Sequence, residues 1–388
     1  MAEERSLIFP AQEYRARVAR LQAKMAANAQ DALLLTSAAD IFYVTGFLTR
    51  FWESPARPWF IIIPANGDPV AVIPSIGADL MGKTWMTTIR TWPAPVPGDD
   101  GLSLLAETLA DMVPATGSIA LPMGLETHLR MPLADYLTLT TRLAPRRFVD
   151  GTDTVQRVRE IKSKAEVVKI RAACAIADRA YARVPEFAAT GRPLNQIFRD
   201  FQRVLLEEGA DWVSYVAGGA GQGGYGDVIS PATDQPLQTG DVLMLDTGAV
   251  RDGYFCDFDR NYAVGPVSAQ THRAQAALHV ATDRALATLR PGMLARDAHR
   301  ILSDELARHG FADAGGRLGH GLGITLTEWP SFTPLDTTEL VEGMVLTLEP
   351  GAVVEGGTIL VHEENIVLRA NGPELLSTRA PRDLPQLD

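Results

Sequence analysis

Cysteine is scarce in this 388-residue chain: Cys174 and Cys256 are the only two. That count excludes a disulfide-built scaffold and fits a reducing compartment. A basic excess is missing too. Lys and Arg number 36 against 47 Asp and Glu, a net charge of -11. Nucleic acid and anionic membrane surfaces each require a basic face, so neither is the expected partner. Long apolar runs are also lacking. Stretches such as Phe60–Pro64 fall far short of the roughly 20 residues that cross a bilayer. The opening MAEERSLIFP lacks the charged-then-apolar pattern of a secretory leader, and the cytoplasm is the expected location. No internal repeat or low-complexity segment is visible.

The sequence otherwise has an ordinary globular composition, 46% hydrophobic and 21% charged. Its length exceeds what one core usually serves, which predicts two domains. Residues 1–155 alternate helix and strand patterns. A helix is expected over 11–29, strands at DALLLTS (31–37) and IFYVTGF (41–47), and a hairpin turned at Asn66-Gly67. Helices near 102–113 and 132–141 complete an α/β layer. The boundary is placed before RVREIKSKAEVVKIR, where Ser163 and Glu166 fit a capping box. Residues 156–388 then read as helices over 163–187, 194–209, 268–289 and 295–309, set against strands at 212–218, 241–249 and beyond. Helices covering one side of a mainly antiparallel sheet make this an α+β layer.

Five potential metal ligands occur in order within short signatures: Asp246 in LDTGA, Asp257 in CDFD, His320 in GHGLG, Glu349 in LEPG and Glu363 in HEEN. Any one alone reads more simply as a surface carboxylate or a packed histidine. Together they form an oxygen-rich set suited to two hard or borderline divalent cations, which points to hydrolytic chemistry. If Arg251 pairs with Tyr254 across Asp252-Gly253, Asp246 faces Asp259 and Gly248 faces Asp257. Same-face diagonal neighbours in such a hairpin lie about 7–8 Å apart, near enough to converge on cations. Glycines beside His320 permit close backbone approach in a crowded site. His362 precedes Glu363 directly and, by strand alternation, points to the opposite face.

At these positions the chain resembles the pita-bread metallopeptidases, the family of methionine aminopeptidase, aminopeptidase P and prolidase, with creatinase as a non-peptidase relative. Its first part resembles the creatinase-type N-terminal domain. The resemblance implies an atypical Xaa-Pro dipeptidase or aminopeptidase with two divalent ions, manganese first and zinc, cobalt or iron also compatible. Asp246 would bind one ion, Asp257 and Glu363 would bridge both, and His320 and Glu349 would bind the other. Glu349, with His320 beside it, would carry the proton transfer. A dipeptide or similarly small molecule is the implied substrate. A homodimer is implied as well, because in this family one subunit's N-terminal domain helps wall its partner's site. Phe51, Trp52 and Trp59 are candidates for that wall, or else they pack within their own domain.

Several positions depart from the family pattern. Thr327 stands where peptidases carry a second histidine, GYGDVISPATDQPLQTGD lacks another, and Val361 replaces an arginine. The loss of both imidazoles predicts slow turnover of ordinary Xaa-Pro dipeptides. Asp259 adds a carboxylate where threonine or serine is usual, and it is expected close behind the ligands; an ion pair with Arg260 is its alternative. Glu328-Trp329-Pro330 is similar to a motif of dimethylsulfoniopropionate lyases on the same fold, although Gly248 stands where those carry an acid. Thr327 and Trp329 are therefore candidates to face the substrate. A lyase or creatinase-like amidinohydrolase, and a non-catalytic binding module, are the alternative functions.

Overall fold

In the computed structural model, which describes residues 8–52 and 57–388, the chain divides into two units after Arg159. The first unit is built on a mixed sheet. Its strands are β1 (Ala32–Leu35), β2 (Phe60–Pro64), β3 (Val70–Pro74), β4 (Thr88–Trp92), β5 (Ser118–Leu121) and β6 (Arg147–Asp150), in the order β4-β3-β2-β1-β5-β6. The central strands ALLL and FIII are buried at every position, as strands covered on both faces must be. β2 and β3 are antiparallel and close at the Asn66-Gly67 turn. Helices α1 (Ala11–Ala27), α2 (Ala38–Thr45), α3 (Ala78–Gly82), α4 (Leu102–Met112), α5 (Leu133–Leu143) and α6 (Thr152–Arg159) complete the unit. Asn28 Nδ2 donates to Thr154 Oγ1 at 3.0 Å, and Arg159 pairs with Asp40 at 2.7 Å, which ties α6 to this unit.

One expected element is corrected. The run IFYVTGF is no strand; it lies largely within α2. Ser37 accepts a hydrogen bond from the Asp40 N–H at 3.1 Å, and Gly46 closes the helix. A short, wholly apolar run carries no period that separates strand from buried helix, so the cap decides.

The second unit, Glu160–Asp388, opens with α7 (Lys164–Ala182), started by the Ser163–Glu166 capping box, and α8 (Leu194–Glu207). Strands β7 (Trp212–Gln222), β8 (Asp241–Arg251), β9 (Tyr254–Phe255) and β10 (Phe258–Val264) follow, then helices α9 (Ala269–Thr288) and α10 (Ala295–Arg308). Next come β11 (His320–Gly321), β12 (Glu328–Ser331), β13 (Val345–Leu348), β14 (Gly351–Val353), β15 (Ile359–Val361), β16 (Glu364–Arg369), β17 (Gly372–Leu375) and β18 (Gln386–Leu387). One sheet has the order β18-β10-β8-β7, with β9 on β8; another runs β12-β11-β13-β16-β17. Small side chains on one face of α9 (Ala274, Ala277, Ala281 and Ala285) let it approach Val242, Met244, Leu346 and Leu348 in a shared core. Each large apolar side chain buried there contributes roughly 1.5–3 kcal/mol. The result is an α+β layer of the pita-bread type.

Candidate metal centre

The β8–β10 hairpin has the register the sequence suggests. Arg251 pairs with Tyr254, and Asp246 lies opposite Asp259. The Cys256 N–H donates to Ala249 O at 3.0 Å, which carries the same register towards Asp257. β7 adds a residue the sequence reading overlooked. The Tyr215 hydroxyl lies 3.2 Å from both Asp246 oxygens and donates to Asp257 Oδ1. Gly248 makes room for the ring: a Cβ there would lie 2.4 Å from Tyr215 Cε1. A side chain at position 248 would have to displace this tyrosine ring.

The two sheets are joined by side chains that grip the backbone of the candidate ligand residues. Asn365 Oδ1 accepts from the Asp257 N–H at 3.0 Å, and Asn365 Nδ2 donates to Asp257 O. Asp259 Oδ1 accepts from the Glu363 N–H at 3.1 Å. Arg260 donates to the Asp259 carbonyl at 2.6 Å, to Glu363 O at 3.0 Å and to the Glu364 carboxylate at 3.1 Å. The Asp259 carboxylate therefore stands behind Glu363, while Arg260 makes its side-chain ion pair with Glu364.

His320 is held from both ends. Its N–H donates to Thr347 Oγ1 at 3.0 Å, and its Nδ1 lies 2.7 Å from Gly321 O. That second contact places the ring proton on Nδ1 and presents the Nε2 lone pair. Both flanking glycines are required by space: a Cβ on Gly319 would sit 2.3 Å from Thr347 O, and one on Gly321 would sit 2.4 Å from Trp329 O. His320 Nε2 lies 3.2 Å from Asp257 Oδ2 and 4.0 Å from Glu349 Oε2. Ligand atoms of Asp257, His320 and Glu363 all fall within 4.8 Å of one another. Glu349 stands beside them with 28% of its side chain exposed, and Asp246 joins through Tyr215.

Gathering these carboxylates out of water disfavours their charge. Burial, then repulsion from Asp257, Asp259 and Glu349, pushes Asp246 well above the usual carboxylate range. Glu363 is pushed up in the same way by burial and Asp257. Asp259 is raised by burial even against Arg260. Glu349, though partly exposed, is surrounded closely enough that burial lifts it to about 7 against the pull of His320. For His320, burial works downward, but the Asp257 contact outweighs it and the net shift is upward. Glu363 Oε1 and Asp259 Oδ2 are buried without a hydrogen-bond partner. Mutually repelling acids, two orphaned oxygens and an oriented imidazole are the donor chemistry that divalent cations satisfy.

The remaining candidates have definite places. Thr327 Oγ1 accepts from Arg317 Nη2 at 3.0 Å, so an uncharged residue here holds a cation that the sequence reading passed over. Glu328 Oε1 accepts from the N–H groups of Ile324 and Thr325 at 3.0 and 3.2 Å, while its other oxygen meets buried Lys162 at 2.9 Å. That gives the Glu-Trp-Pro motif a structural task and brings it to the segment REIKSK. Trp329 Nε1 donates to Thr338 Oγ1 at 2.8 Å. Trp52 packs edge-on against Phe47 and beside Trp59, with Arg130 5.1 Å over its ring, all inside the first unit. Phe51 is half exposed. His362 lies on the Glu364 side of its strand beside Arg379 and is pushed down to about 3 by burial.

Residues 168–370 match the model of metallopeptidase family M24, more than half of the chain. The chain belongs to that family. Residues 17–161 match the creatinase/prolidase N-terminal domain. The probable dipeptidase PepE of Mycobacterium tuberculosis is 29% identical over 370 residues, 94% of each chain. An Xaa-Pro dipeptidase of Pyrococcus horikoshii is 28% identical over 267 residues, 68% of this chain and 74% of its own. Among solved structures, dipeptidase PepE of Mycobacterium ulcerans superposes with a TM-score of 0.84 at 29% identity, covering 98% of this chain and 99% of that one. A prolidase of Thermococcus sibiricus superposes with a TM-score of 0.86 at 23% identity, over 96% and 99%, which shows the shared fold. This M24 member is a metal-dependent hydrolase of the peptidase class.

Proposed function

We propose that this M24 chain is a hydrolase of Xaa-Pro dipeptidase type acting on a dipeptide or similarly small amide. Asp246, Asp257, His320, Glu349 and Glu363 would hold two divalent ions, manganese first, with zinc, cobalt or iron as substitutes. One observation carries the reading: buried acids with raised proton affinity and unpaired oxygens gather around the Nε2 lone pair of His320. Divalent ions supply Lewis-acid polarisation of a carbonyl and lower the pKa of water. The protein's own groups do the rest. Glu349, partly exposed and 4.0 Å from His320 Nε2, is the group suited to take a proton and return it. Tyr215, Asn365 and Asp259 hold Asp246, Asp257 and Glu363 in place from behind. A homodimer working in the cytoplasm, where free Cys174 and Cys256 stay reduced, completes the proposal.

The relatives named as dipeptidases support this substrate class. The tyrosine ring above Gly248 argues against the lyase arrangement. The test is metal analysis of the purified protein, followed by a panel of Xaa-Pro dipeptides, small amides and dimethylsulfoniopropionate with each metal. Amine and acid products that vanish with chelator and return with metal are expected. An alkene product, or no amine from any peptide under any metal, overturns the proposal.

A further inference from the structure

Asp259 is only half accounted for by the hydrogen bonds around it. It is 1% exposed and lies directly opposite Asp246 in the β8–β10 register. Its Oδ1 accepts from the Glu363 N–H at 3.1 Å. Its Oδ2 is buried without a hydrogen-bond partner, as is Oε1 of Glu363 itself. The guanidinium next in the chain is directed elsewhere. Arg260 donates to the backbone carbonyls of Asp259, Glu363 and Thr378, and it makes its ion pair with the Glu364 carboxylate.

A buried carboxylate oxygen with no donor is costly unless a cation faces it. Threonine or serine, the usual residue here in the family, can accept the same N–H through its hydroxyl and adds no charge. Asp246, Asp257, Glu349 and Glu363 already offer four negative charges, which balance two divalent ions. Asp259 makes a fifth, placed against Glu363 and opposite Asp246. We infer that Asp259 is a further anionic member of the metal centre: Oδ1 holds the Glu363 backbone, and the ions answer the charge on Oδ2. This rests on the two-ion reading above. It gives the chain a tighter hold on its metals than a neutral residue at position 259 allows.

Titration calorimetry of the chelator-stripped protein with manganese tests this, beside melting curves in chelator. D259N keeps an oxygen for the Glu363 N–H and removes the charge, whereas D259T installs the family's residue. Both variants are expected to bind manganese about 10–100-fold more weakly than wild type, the range for a group that supports metal ligands. D259N in chelator is expected to melt no lower than wild type, because it loses a buried charge and keeps the backbone contact. Weaker manganese binding with an undiminished melting temperature is the signature of a charge that serves the ions. Wild-type manganese affinity in D259N and D259T overturns the inference. So does a loss of affinity in D259N that comes with a lower melting temperature in chelator, which would mean that Asp259 only shapes the backbone. D259T and D259S carry the affinity comparison if D259N fails to fold. Wild type that binds no manganese, zinc, cobalt or iron removes the metal reading and this inference with it. Wild-type binding that the variants leave unchanged removes Asp259 alone from the centre.

Discussion

Tyr215 touches both aspartates of the hairpin, and its neighbours fix its role narrowly. In the chelated protein its hydroxyl donates to Asp257 and lies 3.2 Å from Asp246, and these two acids repel each other. Y215F is therefore expected to cost the metal-free protein about 1–3 kcal/mol, roughly 2–4 °C in Tm per kcal/mol for units of this size. Added manganese supplies the counter-charge, so the deficit should narrow sharply. Melting curves in chelator and in excess metal measure this, and an equal deficit in both would show that the phenol acts only through packing. The space above Gly248 gives a companion test. G248A puts a methyl 2.4 Å from the tyrosine ring and should cost about 1–3 kcal/mol by overpacking. In the G248A/Y215A double variant that penalty should disappear, leaving the cost of Y215A alone. Strict additivity of the two changes would show that the G248A penalty does not arise from the ring.

At the scale of elements, β16 meets the entry to β10 through Asn365, whose amide takes the N–H and C=O of Asp257, the residue before β10, together. N365A strands two buried backbone groups and should cost roughly 2–4 kcal/mol. It should also weaken metal binding about 10–100-fold, as loss of a ligand's backing residue commonly does. Titration calorimetry with manganese checks the second effect, and unchanged affinity would mean that β10 holds Asp257 unaided. Such couplings explain what the sequence could and could not reveal. Asp246, Asp257, His320, Glu349 and Glu363 stand out as candidates in the sequence because each sits beside glycine or at the end of an apolar strand, where an ionisable group needs a reason, and the fold brings Asp257, His320 and Glu363 together. The β8–β10 register followed from period two and a turn dipeptide. Tyr215, Asn365 and Arg317 carry no such local mark. Each contact joins residues 10 to 108 positions apart in sequence, and that juxtaposition exists only after the sheets pack. The helix α2 was misread for the opposite reason: its signal is local, but the cap at Ser37 outweighed an apolar run that suits either element.

For the molecule as a whole, the metal centre couples folding to pH. Asp246, Asp259, Glu363 and Glu349 all have folded-state proton affinities above those of an unfolded chain, burial being the first cause in each. Between the ordinary carboxylate range and those raised values, the folded state binds more protons than the unfolded one. Their contribution to stability is then fully present below about pH 4 and is lost as pH rises through the folded-state values. For Glu349 the upper end of that window is about 7. Chelated protein should therefore lose Tm between about pH 5 and pH 8 through these groups. Divalent ions compete with the same protons, so their stabilisation, RT ln(1 + [L]/Kd), should grow over that interval as Kd falls. Paired melting curves in chelator and in excess manganese across the interval should diverge, the chelated branch falling while the loaded branch holds or rises. D259N removes one of the buried charges and should flatten the chelated branch. Parallel branches in wild type, with a gap that does not widen with pH, would mean that the acids do not release their protons to the metal.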